Sequence, residues 1–449
     1  MPRQTIAAPA TPRGVSALAV IRISGAETRV VGEKILSPFK NIPNQMYRTK
    51  LINPFTQELL DDVMACFFVA PKSYTGEDSL ELFVHGNPLL VQSIMAVITE
   101  LPKVRWAQPG EFTQRSFFNG KLDLIQAEAV GELLHATAEQ GIKNAQKMLR
   151  GDLSADVAQI TAEVKKMSAL LELDVDFAEE ELDVDQSAWM PQLEIIEQSL
   201  KAIQQKFREK YNANKVPQVV IYGAPNAGKS SLINALLKEE RILVSAQAGT
   251  TRDAVQVRLL LDQGEVELVD TAGISARPKD ELDALAQQKT HEVLAQAEHA
   301  ICVIDGCAVE EAESQAQVQK ALEQKHSIVW TKKDLLKNEN HPYFKEGLLT
   351  SSHNAEGLTE LLQHLNANIF GDNVLEDEYW IANARQIDDL KDALYCLEKS
   401  REALVNHPHS PEIIAFEFMG VRNALRRLIG EICTDDVLGA IFKDFCIGK

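Results

Sequence analysis

None of the six cysteines (Cys66, Cys302, Cys307, Cys396, Cys433, Cys446) lies in a CxxC pair or a Cys/His cluster with metal spacing. That excludes a zinc finger and a disulfide framework, and reads as the reduced thiols of a cytosolic protein. No run approaches the roughly 18 apolar residues of a membrane helix, and the start, MPRQTIAAPATPRG, has no apolar signal core. The expected location is therefore the cytoplasm, with no membrane partner. There is no internal repeat and no low-complexity segment. Positive charge is also short: 46 Lys and Arg against 65 Asp and Glu, a formal net charge of −19. Such a chain has no global pull toward nucleic acid, so any RNA contact must rest on a local patch or pocket.

What is present is a core: 45% hydrophobic residues in a chain of 449, enough for several domains. Residues 1–118 mix strand-like runs with turn signals. Val15–Ile23 and Leu80–Val84 read as strands, each ending at a glycine-containing stretch, in a small α/β unit. From 119 to 214 the period becomes helical. Val157, Ile160, Val164, Met167 and Leu171 step by three and four, as do Leu193, Ile196, Leu200, Ile203 and Phe207. The acidic run DVDFAEEELDVD (174–185) between these stripes reads as a solvated loop or helix end, with a metal site the rarer alternative. From 215 to 371, strands at Gln218–Tyr222, Glu265–Val269, Ala300–Ile304 and Ser327–Trp330 alternate with helical segments, the layout of a doubly wound parallel sheet. Helical periodicity returns over 372–449, with Val421, Leu425, Leu428 and Ile432 on one stripe. The predicted fold class is multidomain, α/β and all-α, with the 215–371 domain inserted in a loop of a discontinuous helical bundle.

GAPNAGKSSL (223–232) follows an apolar strand and opens a helix, the context a P-loop requires. Asn226, Ala227, Gly228, Lys229, Ser230 and Ser231 are the candidate phosphate-binding residues. Backbone N–H groups wrap phosphate oxygens, Lys229 adds charge at the β/γ-phosphates, and the Ser230 hydroxyl reaches Mg²⁺. Asp270, Thr271, Ala272 and Gly273 follow the VELV strand. Asp270 is placed to hold Mg²⁺ through water, and Gly273 lets its N–H approach a γ-phosphate. In AGTTRD between them, Thr251 can ligate Mg²⁺ only while the γ-phosphate is present, which makes a switch.

Guanine is read from Thr331-Lys332-Lys333-Asp334. The Asp334 carboxylate can accept from both N1–H and N2–H of guanine, and adenine offers no such pair. Thr331 stands where most GTPases have Asn, a change expected to weaken the base contact and loosen the loop. Rho-type GTPases also use Thr-Lys-x-Asp, so GTP stands. Ser351-Ser352 occupies the place of a second base-side loop. Ile274 follows DTAG where Ras-like enzymes place a water-orienting Gln, so hydrolysis needs another arrangement and another source of positive charge.

GAPNAGKSSL, AGTTRD and DTAG, together with TPRGVSALAVIRISG, PGEFTQRSFFNGKLDLIQAEAV (109–130) and the final FCIGK, resemble the bacterial MnmE (TrmE) tRNA-modification GTPases along the whole chain. The resemblance implies an N-terminal folate-binding domain and a homodimer formed through it. It also implies a helical domain and an inserted G domain that pairs with its copy when GTP is bound. The implied task, shared with the FAD protein MnmG (GidA) in a heterotetramer, is modification of C5 of the tRNA wobble uridine, U34. The carbon comes from 5,10-methylenetetrahydrofolate or 5-formyltetrahydrofolate, joined with glycine or ammonium.

Carried over by residue, Asn226 matches the family's K⁺ ligand, with Ser245, Gln247 and Thr250 completing the shell. Asp283 of DELDAL matches the water-orienting glutamate, one methylene shorter, with Glu281 as the alternative. Arg22, Glu81, Lys121 and Lys449 match folate contacts, and HGNP (85–88) replaces the usual HGGP. Cys446 matches a cysteine tied to the modification; as a residue alone it reads equally as a mobile exposed thiol. The competing class is a ribosome-assembly or regulatory GTPase of the Era or Der type, which should carry a KH domain or a second G domain; neither pattern occurs.

Overall fold

The computed structural model describes residues 4–176, 189–209, 216–238, 256–270, 294, 297–336, 338, 340–370, 379–408, 410–443 and 445–449. The chain divides into two compact units, one of 1–134, 144–209 and 380–449, the other of 135–143 and 210–379.

The first unit begins with β1 (Thr5–Pro9), β2 (Ser16–Ser24), α1 (Thr28–Ile35), β3 (Leu36–Ser37), β4 (Met46–Ile52), β5 (Leu59–Phe68), β6 (Ser79–Gly86), α2 (Pro88–Glu100), β7 (Val104–Trp106), α3 (Glu111–Phe118) and α4 (Leu124–His135). The strands form one sheet in the order β3-β4-β5-β6-β2-β1-β7, antiparallel except for β1 beside β7. Side chains alternate between faces along a strand. Ile21 and Ile23 of β2 and Leu80, Leu82 and Val84 of β6 therefore bury against Val31 and Ile35 of α1 and Ile94 and Ile98 of α2. Arg22 and Glu81, the alternate residues, stand directly opposite each other in the ladder on the other face. Asn87 starts α2 as its cap, its side chain accepting from Leu89 N (2.9 Å) and Leu90 N (3.3 Å). A glycine at this position would leave those two N–H groups without a side-chain acceptor.

Next come α5 (Glu139–Arg150), α6 (Asp152–Asp176), α7 (Trp189–Lys206) and the short strand β8 (Phe207–Glu209). The stripe Val157, Ile160, Val164, Met167 and Leu171 is buried on α6, and Leu193, Ile196, Leu200 and Ile203 on α7. Phe207 differs from expectation: α7 ends at Lys206, and Phe207 pairs with Trp380 in a two-stranded parallel ribbon.

The second unit holds β9 (Gln218–Tyr222), α8 (Lys229–Lys238), β10 (Gln256–Leu260), β11 (Glu265–Asp270), β12 (His299–Asp305), α9 (Ala312–Glu323), β13 (Ser327–Thr331), β14 (Leu348–Leu349) and α10 (Leu358–Phe370). Sheet order is β10-β11-β9-β12-β13-β14, parallel throughout except for the β10–β11 hairpin. Continuous apolar runs such as QVVIY and AICVI suit strands buried on both faces. They bury against Leu232, Leu236, Leu361 and Leu365 on one side and Val318 and Ala321 on the other.

The chain then returns to the first unit with β15 (Trp380–Ala382), α11 (Ala384–Asn406), α12 (Pro411–Ile429) and α13 (Asp435–Lys443). One core joins α6 and α7 to Leu390, Leu397, Phe418, Val421, Leu425 and Leu428, residues more than 180 positions later. Ile432 does not continue this stripe. Gly430, at φ 87°, ends α12, and Ile432 is 37% exposed. The multidomain α/β and all-α class expected from the sequence is the class observed.

Candidate functional site

The nucleotide-type site lies where β9 passes into α8. Asn226 is exposed and takes φ 66°, a left-handed conformation that asparagine tolerates better than most residues. Ala227 is buried beneath the loop, and Gly228, Ser230 and Ser231 follow at the helix start. The Lys229 ammonium is inside the loop, donating to Gly223 O (3.1 Å) and Ala224 O (2.9 Å). Burial pulls its pKa below the usual lysine value, while the Asp270 carboxylate opposes that shift. Ser230 Oγ donates to Asp270 Oδ2 at 3.0 Å.

The base-side loop is tied directly to this one. Thr331 is buried at the end of β13, its hydroxyl donating to Ala227 O (2.6 Å), with Ile304 O at 3.2 Å. A short hydroxyl at the strand end reaches the P-loop carbonyl and fastens the two loops together. Lys332, left-handed at φ 59°, pairs with Asp305 at 2.5 Å, and that hydrogen bond raises its pKa. Asp334 Oδ1 accepts from Ser351 Oγ (2.6 Å), which holds the carboxyl below its ordinary range. Ser351 Oγ in turn takes the N–H of His353 (3.2 Å), and Ser352 follows half-buried. Ser351 is thus a prop that orients Asp334.

A second constellation stands on the outer face of the seven-stranded sheet. Arg22 Nε donates to Glu81 Oε1 (2.9 Å) and Arg22 Nη1 to Gly448 O (3.2 Å). The guanidinium lies 5.2 Å from the Tyr74 ring centre and 5.7 Å from that of Phe112. Lys449 Nζ is 6.0 Å from the same Tyr74 ring, and burial, then the Arg22 charge, lowers its pKa. The tail reaches this place because Gly448, at φ 104°, passes so close to Pro9 that a Cβ would sit 2.4 Å from its carbonyl oxygen. Cys446 is exposed at the same tail, its carbonyl accepting from Lys449 N (3.3 Å). Arg22, Glu81 and Lys449 thus meet. Lys121 is bonded elsewhere, donating to Pro71 O at 3.2 Å.

A model of the GTP-binding protein TrmE N-terminus matches residues 5–121, and one of the MnmE helical domain matches residues 124–446. The chain belongs to the MnmE family of tRNA modification GTPases. The tRNA modification GTPase MnmE of Pseudoalteromonas translucida (strain TAC 125) is 33% identical over 465 residues, covering 100% of this chain and 99% of its own. That of Aquifex aeolicus (strain VF5) is 34% identical over 453 residues, covering 100% of both. That of Flavobacterium johnsoniae is 34% identical over 468 residues, covering 100% of this chain and 99% of its own.

Binding of GTP with Mg²⁺ goes with MnmE membership, and the residues fit the ion. Asp270 Oδ1 is buried with no hydrogen-bond partner among the described residues, and the Ser230 hydroxyl lies against the other carboxylate oxygen. A buried carboxylate oxygen left alone is costly unless a cation or water meets it. Among the described residues no group of three or more His, Cys, Asp or Glu could hold a metal, and no helix is long and apolar enough to cross a membrane. Ser245, Gln247, Thr250, Thr251, Thr271, Ala272, Gly273, Glu281 and Asp283 lie outside the described residues.

Sequence reasoning passed over several participants. Asp305 escaped notice although an aspartate closing an apolar parallel strand is a fair signal in such a sheet. Tyr74 carried no signal, and Phe112 lies in the stretch 109–130 that carries only the resemblance; the folded sheet brings both under Arg22. Arg115 sits in a stretch quoted for its resemblance alone. It is 2% exposed and bonds Glu77 Oε2 (2.9 Å) and Glu111 Oε1 (2.9 Å). Glu77 in turn accepts from Ser24 Oγ at 2.8 Å, at the end of β2.

Proposed function

We propose that this enzyme is a potassium-dependent GTPase that works with an MnmG-type FAD protein. Together they add a carboxymethylaminomethyl or aminomethyl group to C5 of the wobble uridine, U34, of certain tRNAs, in the cytoplasm. On this reading 1–118 is the folate-binding and dimerisation domain, 119–214 and 372–449 are the helical domain, and 215–371 is the G domain. The enzyme is a homodimer, joined with MnmG in a heterotetramer, and the one-carbon donor is 5,10-methylenetetrahydrofolate or 5-formyltetrahydrofolate.

The observation that carries the modification half is the meeting of Arg22, Glu81 and Lys449 beside Tyr74 and Phe112. Cations suit the glutamyl carboxylates of a folate, a carboxylate suits pterin N–H donors, and aromatic rings suit the flat pterin. Lys121 is a further candidate for the glutamyl end. Cys446, exposed within the same tail, is the candidate thiol for the modification step.

In the GTPase half, Mg²⁺ neutralises charge on the β/γ-phosphates when bound. Ser230, Thr251 and Asp270 would hold it, Asp270 through water. Lys229 adds a fixed cation, and the P-loop amides orient the γ-phosphate. Asn226, with oxygens of Ser245, Gln247 and Thr250, would hold K⁺ where other GTPases place an arginine finger. Asp283 would orient the attacking water. G-domain pairing would order the loop that completes the K⁺ shell.

The test is GTP turnover by the purified enzyme in K⁺ against Na⁺ at equal ionic strength. Turnover is expected to rise well over tenfold in K⁺, and equal rates would remove the cation. Nucleoside analysis of tRNA from a deletion strain checks the other half: the U34 modification should disappear.

A further inference from the structure

Thr331 spends its hydroxyl inside the protein. A threonine hydroxyl has a single hydrogen to donate. That hydrogen goes to Ala227 O at 2.6 Å, and the Ile304 carbonyl at 3.2 Å can at most share it. The residue is 2% exposed and packs directly under Gly228, where a Cβ would sit 3.3 Å from Thr331 Oγ1 and 3.5 Å from its Cβ. What remains of the hydroxyl is lone pairs, which accept and do not donate. A nucleotide with its phosphates at Lys229 and its base at Asp334 must pass position 331, which ties those two loops together.

Guanine offers opposite chemistry on two sides. N1–H and N2–H are donors, whereas N7 and O6 are acceptors. Asp334 suits the donor side. Its carboxyl is held below its ordinary range by the Ser351 hydroxyl at 2.6 Å, so it is ionised at neutral pH and only accepts. An acceptor such as N7 needs a donor in return. The side chains around Asp334 have committed theirs. Ser351 gives its hydrogen to Asp334, Thr331 gives its own to the phosphate loop, and the Lys332 ammonium pairs with Asp305 at 2.5 Å. An asparagine at 331 would bring two amide hydrogens, one for Ala227 O and one to spare for the base.

We infer that this site reads guanine through N1–H and N2–H and leaves N7 unread, and that Thr331 is the residue that sets this limit. The nucleotides it takes are guanosine triphosphates with either nitrogen or carbon at ring position 7. What it rejects is loss of the exocyclic amine, because a carboxylate oxygen of Asp334 then faces a C–H. Every residue involved lies within the second unit. This specificity rests on GTP binding at Lys229 and Ser230, and not on the folate or potassium readings.

The experiment is competition of GTP, 7-deaza-GTP and inosine triphosphate against a fluorescent guanine nucleotide, on the full-length protein with Mg²⁺. In the unaltered protein the Kd of 7-deaza-GTP is expected to lie less than threefold from that of GTP. Inosine triphosphate should bind about tenfold or more weakly, for want of one bond to Asp334. In Thr331→Asn, GTP should gain on 7-deaza-GTP until the two differ about fivefold or more, the spare amide hydrogen now meeting N7. Thr331→Ser, which keeps one hydroxyl hydrogen, should stay as indifferent as the unaltered protein. A gap of threefold or more between GTP and 7-deaza-GTP in the unaltered protein overturns the inference, and that comparison decides even if Thr331→Asn does not fold. A folded Thr331→Asn that remains indifferent removes the role from residue 331. Inosine triphosphate binding as well as GTP would remove the reading of N2–H by Asp334. Failure of GTP itself to bind would refute the nucleotide site and this specificity with it.

Discussion

Thr331 concentrates two jobs in one hydroxyl. It closes β13 and holds Ala227 O of the phosphate loop at 2.6 Å. Removing that hydroxyl leaves a buried carbonyl oxygen short of a donor, which costs about 1–3 kcal/mol. Thr331→Val is therefore expected to lower the unfolding free energy of the nucleotide-binding unit by that amount and to weaken GTP binding. Denaturant unfolding and a fluorescent-nucleotide titration check the two effects. The residues proposed for water orientation separate by kinetics. Asp283→Ala should lower kcat at least tenfold with nucleotide affinity unchanged, and Glu281→Ala should leave kcat within twofold. The reverse pattern would move the role to Glu281.

Among elements, what was legible follows from how local each signal is. GAPNAGKSSL announces a strand–turn–helix because its phosphate chemistry is local in sequence, and the strands at Gln218–Tyr222 and Ser327–Thr331 follow from unbroken apolar runs. Phe207 and Ile432 misled because each continues a helical spacing past the helix end, and a stripe does not encode where a helix stops. The joining of 135–143 to the β10–β11 turn was invisible. It is made by backbone groups of Thr137, Glu139, Gln263 and Glu265, which no side-chain pattern records. The same holds for the tail, where Gly448 offers only a carbonyl to Arg22.

One packing of elements titrates. Ser327 Oγ, at the start of β13, lies 2.8 Å from His299 Nε2 of β12 and 2.7 Å from His364 Nε2 of α10. Burial lowers the pKa of His299, His326 and His364, and at His299 the other two imidazoles add to it. A histidine held low when folded takes up protons more readily when unfolded. Its stabilising share is therefore full above about pH 6.5 and is lost as pH falls through the folded values. Melting curves at pH 7.5, 6.5 and 5.5 should show this unit's transition falling with pH. His364→Gln should make that dependence shallower.

At the scale of the whole molecule, the bundle is built from sequence halves that meet through charge as well as apolar packing. Glu128 of α4 takes a two-pronged hold from Arg385 (2.6 and 2.7 Å) and a third bond from Gln386 (2.8 Å), at the head of α11. Glu128 is 6% exposed. Removing Glu128 leaves Arg385 its salt bridge to Asp389 (2.9 Å) but takes away two charged bonds of Arg385 and one bond of the buried Gln386 amide, a loss of about 1–3 kcal/mol. Glu128→Ala should lower the unfolding free energy of the first unit by that much, read by denaturant titration, with GTP affinity unaltered.

The bundle's divided core has a consequence for synthesis. Its early helices carry apolar stripes ending near Ile203, and their last partner, Leu428, lies 225 residues later (428 − 203). At ribosomal speeds of about 5–20 residues per second, those stripes wait on the order of 10–45 s for their cover. A nascent chain paused in that interval would offer chaperones two naked amphipathic helices, while the inserted unit has sequence enough to close on its own.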